Sequence, residues 1–382
     1  MLQKPIIKAH NPYFGSGPCA KRPGWQVEVL KNAPLGTSHR SQQCLSIIQE
    51  VLAKSKALLN LPADYQIALL GGSDTASFES AMWNLLGENP VDVVFFEEFG
   101  RHWYNDITKQ LKLSNVTAIN ANFGEVPDIS KINCDNDVVL TLNGTTSGVC
   151  FNDLDFIPSN RKGLVLCDAT SAVFSIPIDF TKLDAITYSW QKSLGGEAQH
   201  GILILSPRAI DRLNNYVPTW PIPRILQLTS QGKFNQQLFN GATINTPSMM
   251  CVFDALDSLN WALEQEKTKS LFQIVAENYQ IVADFAENSQ WLKPLCSNEK
   301  YRSKTSACFK IINAEFNQLD EETQRKKLKE LANFLGKHNA GFDFINHKAA
   351  PPSLRIWCGP TIDTQDLIIF LQWLEYGYSS CF

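Results

Sequence analysis

The stretch Ala185-Ile186-Thr187-Tyr188-Ser189-Trp190 reads as a buried strand that runs into Gln191-Lys192-Ser193-Leu194 and closes on Gly195-Gly196. It therefore delivers one amine, Lys192, just past a strand end. Twenty-four residues upstream, Asp168 ends a second strand-like run over 163–167. An acid and an amine carried to neighbouring strand ends are the two groups that pyridoxal phosphate requires. The amine condenses with its aldehyde, and the carboxylate keeps the ring nitrogen protonated so that the ring accepts electrons. Taken singly, Lys192 also reads as a solvated loop lysine and Asp168 as a helix cap. The surrounding pattern decides between these readings.

From residue 66 onward, short apolar runs alternate with amphipathic stretches. Strands are expected at 66–70, 91–96, 116–119, 137–142, 163–167, 185–190 and 201–205, with helices at 74–86 and 101–111 among those between them. A further helical pattern at 44–59 precedes the first strand. Near-continuous apolar strands alternating with helices predict an α/β fold with a mostly parallel seven-stranded sheet covered on both faces. A Pro-rich stretch at 218–223 interrupts this pattern, and helical patterns follow at 250–265 and 267–289. The last hundred residues read as a smaller C-terminal α+β domain. Its strands are expected at 307–312, 341–345 and 353–357, its helices at 321–337 and 364–376, with Thr361 capping the last helix. The expected division is a large domain over 1–260, whose N-terminal segment contacts the small domain, and a small domain over 261–382.

The composition narrows the class. Over 382 residues, 44% hydrophobic and 19% charged content is ordinary for a soluble globular protein. A net charge of −4 gives no reason to expect nucleic acid as a partner. No apolar run approaches the roughly 20 residues needed to span a bilayer, and residues 1–7 lack the apolar core of a signal peptide; a cytoplasmic location is expected. The ten cysteines lie scattered from Cys19 to Cys381 without a Cys-x-x-Cys pair, several of them inside apolar runs, so they read as reduced packing residues. The six histidines show no metal-ligand spacing, and no metal is expected.

A phosphorylated pyridine aldehyde needs more than an acid and an amine. Its phosphate is best held by backbone amides at a helix N-terminus, where the dipole favours an anion. Gly71-Gly72-Ser73-Asp74-Thr75 supplies such a turn between the first strand and the next helix, with hydroxyls on Ser73 and Thr75. Asp74 fits beside a phosphate only if its side chain points away and caps that helix. Trp103, at the start of the helix after the second strand, offers a face for the ring, although most tryptophans are simply packed. Thr145, in Asn143-Gly144-Thr145-Thr146-Ser147-Gly148, offers a donor to the phenolic oxygen. All these residues follow strand C-termini, the edge where open α/β sheets bind ligands.

Seven segments together resemble the phosphoserine aminotransferases, class V enzymes of the fold-type-I pyridoxal-phosphate group. They are Phe14-Gly15-Ser16-Gly17-Pro18-Cys19, Thr37-Ser38-His39-Arg40-Ser41, Asn143 to Gly148, Cys167-Asp168-Ala169-Thr170-Ser171, Trp190-Gln191-Lys192, Ile244-Asn245-Thr246-Pro247 and Leu354-Arg355-Ile356-Trp357. The resemblance implies that Lys192 is the Schiff-base lysine and proton shuttle, that Asp168 pairs with the pyridinium, that Trp103 stacks and that Thr145 bonds the phenolic oxygen. It places the cofactor phosphate on Ser73, Asp74, Thr75 and Gln191, and on Asn245 and Thr246 from a second subunit, which implies a homodimer with shared sites. Arg355 resembles the clamp for the substrate α-carboxylate. His39 and Arg40 resemble substrate-phosphate contacts, and His347 and Lys348 fall near a further phosphate-binding pair. Two departures stand out: Asp74-Thr75 where the family commonly has Gly-Arg, and Lys348 where it commonly has arginine.

The activity so implied transfers an amino group between glutamate and 3-phosphohydroxypyruvate, giving phosphoserine and 2-oxoglutarate in serine biosynthesis. Members of the family commonly act as well on a phosphorylated hydroxythreonine in vitamin B6 synthesis, and the residues do not decide between one substrate and two. Two other readings stay open on sequence. One is another class V enzyme, such as an alanine–glyoxylate aminotransferase or a cysteine desulfurase. The desulfurase needs a mobile cysteine, and the candidate Cys358 follows an apolar strand-like run. The other is a catalytically silent protein that keeps the fold for binding.

Overall fold

The computed structural model describes residues 2–382. Seven strands form the main sheet: β1 (Gln66–Gly71), β2 (Val91–Phe95), β3 (Val116–Asn120), β4 (Asp137–Thr141), β5 (Val165–Asp168), β6 (Ala185–Ser189) and β7 (His200–Leu205). Their spatial order is β1-β7-β6-β5-β4-β2-β3. β7 runs antiparallel to both of its neighbours, β1 and β6, and the other pairings are parallel. All five residues of β4 and of β6, all four of β5 and all six of β7 are buried. This is why they read in the sequence as continuous apolar runs without a polar face.

The parallel strands share one C-terminal edge, formed by Gly71, Phe95, Thr141, Asp168 and Ser189, and β7 begins there at His200. The helices that cover the sheet include α1 (Gln42–Leu58), α2 (Ser73–Leu85), α3 (Glu98–Asn105), α4 (Pro207–Asn215) and α5 (Met249–Gln265). The 101–111 pattern divides: α3 starts earlier, and a π-turn over Asp106–Gln110 continues it, which places Trp103 within α3 rather than at its start.

A second, three-stranded antiparallel sheet pairs β8 (Leu292–Pro294), β9 (Ser306–Ile311) and β10 (Leu354–Trp357), packed by α6 (Leu271–Asn288), α7 (Glu321–Lys337) and α8 (Thr364–Cys381). Its apolar core also contains Ala9, Phe14 and Cys19 from the N-terminal segment. Three sequence readings change here. Helix α6 begins at 271 rather than 267, because Ser270 and Gln273 cap each other reciprocally. The cap of α8 is Asp363, whose carboxylate accepts from the amides of Gln365 and Asp366, not Thr361. Residues 341–345 form no strand; only single bridges join Phe342 to Tyr13 and Ile345 to Leu354.

The strand that carries Asp168 is anchored from below by a buried carboxylate. Asp184 accepts from the amide of Val165 at 2.9 Å, from Arg161 Nη2 at 2.9 Å and from Ser206 Oγ at 2.8 Å. Both Arg161 and Asp184 are buried. Arg161→Ala is expected to leave that carboxylate with only the longer contact to Arg208, at 3.9 Å, and to lower stability by about 3 kcal/mol, measured as a fall in the urea midpoint at unchanged slope.

Candidate active site

A cavity of about 220 Å³ opens at the C-terminal edge of the main sheet, and its walls include Gly17, Ser73, Asp74, Thr75, Trp103, Thr145, Asp168, Gln191 and Lys192. The lysine at the end of β6 and the acid at the end of β5 thus face one space. Lys192 donates from Nζ to the carbonyl of Ser16 at 2.6 Å. Gly17 leaves the room for it: a Cβ there would sit 2.2 Å from Nζ, and its φ of +147° is one that side-chain-bearing residues rarely adopt. Burial, and after it the charge of Arg355, hold the Lys192 ammonium below its usual 10.5, against the opposing pull of Asp168 and Asp74. A Cys19 thiolate would also oppose this, but burial pushes that thiol up to about 12 and keeps it neutral.

Asp168 is fixed at both oxygens. Oδ2 accepts from Trp103 Nε1 at 3.1 Å, and Oδ1 accepts from the amide of Thr170 at 3.1 Å. Trp103 is therefore tied to the acid as well as placed on the cavity wall, and its ring packs against Phe78 at 4.8 Å between centroids. Thr145 lines the cavity, but its hydroxyl donates to Ser171 Oγ at 2.9 Å.

The glycine turn leads into α2 as expected, with Gly72 as the N-cap in a left-handed conformation. The amides of Gly72 and Ser73 are already held by the carbonyl of Gln199, at 3.0 and 3.2 Å. Those of Asp74 and Thr75 lie in the first turn, where a helix offers no carbonyl partner. Gln191 reaches this turn and donates from Nε2 to Ser73 Oγ at 3.2 Å. Asp74 does not cap the helix. Its side chain is buried, Oδ1 has no partner among the described residues, and burial followed by the neighbouring Asp168 charge pushes its carboxyl well above the usual range.

Arg355, on β10, lies close enough to Lys192 to lower the lysine's proton affinity. Among the described residues its guanidinium forms no ion pair, and its buried Nε has no partner. It is thus a cation prepared for an anion that the chain itself does not supply. His347 stands near the mouth of the cavity, its ring centroid 6.1 Å from that of Phe99, a wall residue, and the exposed Lys348 follows it. His39 and Arg40 do not line this cavity, and neither do Asn245 and Thr246, although the Asn245 side chain lies against Gly71 of its own chain. Sequence reasoning gave no separate role to Gly17, Phe99, Thr141 or Thr170. Of these, Gly17 carried a signal, since it sits in a Gly-Ser-Gly-Pro run.

The residues fit pyridoxal phosphate. A half-buried lysine and a doubly anchored carboxylate share the cavity with an indole and a helix N-terminus. Asp74 Oδ1, Thr141 Oγ1 and Thr170 Oγ1 are buried there without partners. Cys358 is not poised as a thiol nucleophile: burial pushes its thiol upward, and its Sγ–H donates to the Ile356 carbonyl at 3.7 Å.

Known proteins share this fold. A crystal structure of a phosphoserine aminotransferase from Cytophaga hutchinsonii superposes with a TM-score of 0.80 at 21% identity, over 96% of this chain and 98% of that one. That of a pyridoxal-phosphate-bound phosphoserine aminotransferase from Trichomonas vaginalis gives 0.77 at 18% identity, over 96% and 100%. These likenesses define the class of fold, that of the pyridoxal-phosphate aminotransferases. The family described as class-V aminotransferase matches residues 28–319. The phosphoserine aminotransferase of Methanosarcina barkeri is 46% identical over 376 residues, 98% of this chain and 99% of that protein. The chain belongs to the class-V aminotransferase family.

Trp103→Phe keeps an aromatic face and removes the donor to Asp168. A hydrogen bond to a carboxylate contributes about 1.5–3 kcal/mol. Affinity for pyridoxal phosphate is expected to fall by about tenfold or more, measured by absorbance titration of the apoenzyme with circular dichroism unchanged.

Proposed function

We propose that this chain is a phosphoserine aminotransferase that uses pyridoxal phosphate to move an amino group between glutamate and 3-phosphohydroxypyruvate, giving 2-oxoglutarate and phosphoserine. One observation carries the reading: Lys192, Asp168, Trp103 and the first turn of α2 meet in one cavity, with an unpaired arginine beside the lysine. The 46% identity to a protein of that name over nearly the whole chain supports the particular substrate.

When bound, pyridoxal phosphate supplies a conjugated cation that accepts the electron pair released at the substrate Cα. Asp168, held by Trp103 and Thr170, keeps the ring nitrogen protonated. The amides of Asp74 and Thr75, with Ser73 and Gln191, receive the cofactor phosphate. Arg355 holds the substrate carboxylate, which presents Cα to Lys192. With that group bound, Lys192 Nζ would act as the base that takes the Cα proton and would hold it for return.

In this reading Asn245 and Thr246 serve the cofactor phosphate of a second copy, and His39 and Arg40 its substrate, which makes the active form a homodimer with shared sites. Residues 1–260 then form the cofactor domain and 261–382 the small domain. A cytoplasmic place in serine biosynthesis accords with these substrates, and among the described residues no helix is long and apolar enough to cross a membrane. A phosphorylated hydroxythreonine presents the same pair of anions, so vitamin B6 synthesis is a second setting for the same site.

Lys192→Ala is expected to abolish transfer in an assay with glutamate and 3-phosphohydroxypyruvate; a variant retaining near-normal turnover would remove the central assignment. The lysine's lowered proton affinity has a sign that can be read. Burial disfavours the ammonium, so the neutral amine forms at lower pH than in a free lysine. The rate at which apoenzyme takes up pyridoxal phosphate should rise with pH through a midpoint below 10.5. Arg355→Gln, which removes a nearby cation, should move that midpoint upward.

A further inference from the structure

Glu97, a buried acid at the start of α3, has no role in the steps above. We propose that it is a positioning residue for the substrate carboxylate, one that takes a proton from solvent as that carboxylate settles on Arg355 and gives it back when the carboxylate leaves. This rests on the reading of Arg355 as the carboxylate clamp.

Two segments of the site meet on Glu97. It caps α3, the helix of Trp103, where its Oε1 accepts from the amide of Gly100 at 2.7 Å. Its Oε2 accepts from Thr146 Oγ1 at 3.0 Å. Thr146 follows the cavity-lining Thr145, and only 4% of Glu97 is exposed. The C-terminal part of the chain closes on the same turn. Asn346 Nδ2 donates to the carbonyl of Thr146 at 3.0 Å, and Cys308 Sγ donates to that of Thr145 at 3.6 Å. Cys308 stands directly opposite Arg355 in the pairing of β9 with β10. Residues so opposed carry their side chains on one face of a sheet. Arg355 therefore faces the turn that Glu97 grips.

The charges around the clamp single out this acid. Burial lowers the proton affinity of Arg355, and Cys308, Cys19, Glu97 and Asp343 oppose it. Burial pushes both thiols up to about 12, so they stay neutral. Asp343 is exposed, where solvent and salt screen it. Glu97 is left as the buried carboxyl whose charge changes near neutrality. Burial pushes it up to about 7, helped by the Asp168 charge and opposed by hydrogen bonds from Gly100, Thr146 and Phe99. On its own helix the adjacent acid, Glu98, is already paired with Arg101 and His102.

Charge coupling between two sites is reciprocal. An ionised Glu97 makes Arg355 less attractive to a second anion, and an anion on Arg355 favours the neutral form of Glu97 by the same factor. Binding of the substrate carboxylate therefore draws a proton onto Glu97 near pH 7. Affinity for the carboxylate falls as pH rises through that value.

The test is a calorimetric titration of the holoenzyme, loaded with pyridoxal phosphate, with 2-oxoglutarate, which lacks the amine needed to react. The unaltered protein is compared with Glu97→Gln at about pH 6 and about pH 8, either side of the Glu97 value. Glutamine has the shape of the neutral acid and can serve both contacts, through its oxygen to Gly100 and its amide to Thr146. Affinities are expected to be similar at the lower pH, and E97Q is expected to bind about fivefold more tightly at the higher one. Thr146→Val keeps the charge but removes a donor that favours the ionised acid, so the fall in affinity should begin at higher pH; this variant carries the test should E97Q not load with cofactor. A difference between E97Q and the unaltered protein that is the same at both pH values overturns the inference, as does an unmoved fall in Thr146→Val. Unchanged affinity for 2-oxoglutarate in Arg355→Gln overturns the clamp reading itself.

Discussion

The active site depends on the contact of Lys192 with the backbone at Ser16 and Gly17. A long cationic side chain leaving a strand end would ordinarily reach for solvent. Here Nζ donates to the Ser16 carbonyl, and the absence of a side chain at Gly17 lets the amine approach. The same short segment is bonded in both directions. The amide of Cys19 donates to the carbonyl of Gln191, next to the lysine, and the amide of Trp357 donates to the carbonyl of Phe14, two residues beyond Arg355. Phe14 is fully buried in the C-terminal core and stacks on Phe370 at 4.2 Å. Residues 14–19 are thus a stitch between the strand of the carboxylate clamp and the loop of the lysine, which explains why two groups 163 positions apart in sequence act on one small molecule.

Much of this could be read without coordinates, and the reasons are physical. Six of the seven strands are largely buried, so each left an apolar run long enough to recognise; β3 is mostly exposed but still carries Val116, Ala118 and Ile119. The acid and the amine stood out because they follow such runs. The helix start at Ser270 and the cap at Asp363 were shifted by a few residues because capping depends on which of several adjacent polar residues turns inward. What sequence could not carry was direction. Trp103 was legible as an aromatic near the site, but not its N–H pointing at Asp168. Thr145 was legible as a hydroxyl, but not its engagement with Ser171.

Asp74 shows how a local departure is absorbed. A carboxylate in the first turn of α2 favours the helix dipole, yet it competes with any phosphate brought there. The structure resolves the conflict by turning the side chain inward, where burial and the Asp168 charge favour its neutral form. An acid pushed toward its neutral form repels an incoming phosphate less, and the amides of Asp74 and Thr75 lie in the first turn, where they can face the anion.

These features amount to a division of charge along one axis. At the floor, two carboxylates share a buried space, and only the one fixed by Trp103 and Thr170 has its oxygens committed. In the middle stands an amine whose ammonium is disfavoured by burial, so it is ready to accept a proton rather than hold one. Beside it lies an unpaired guanidinium, and near the mouth stand His347 and the exposed Lys348 of the loop before β10. A ligand with an electron-deficient ring at one end and two anionic groups at the other meets the complementary charge at each level. The protein as a whole is acidic, so this gradient cannot come from net charge. It comes from the parallel sheet, which gathers strand ends from distant parts of the chain at one edge, and from the small domain, which brings Arg355 over them.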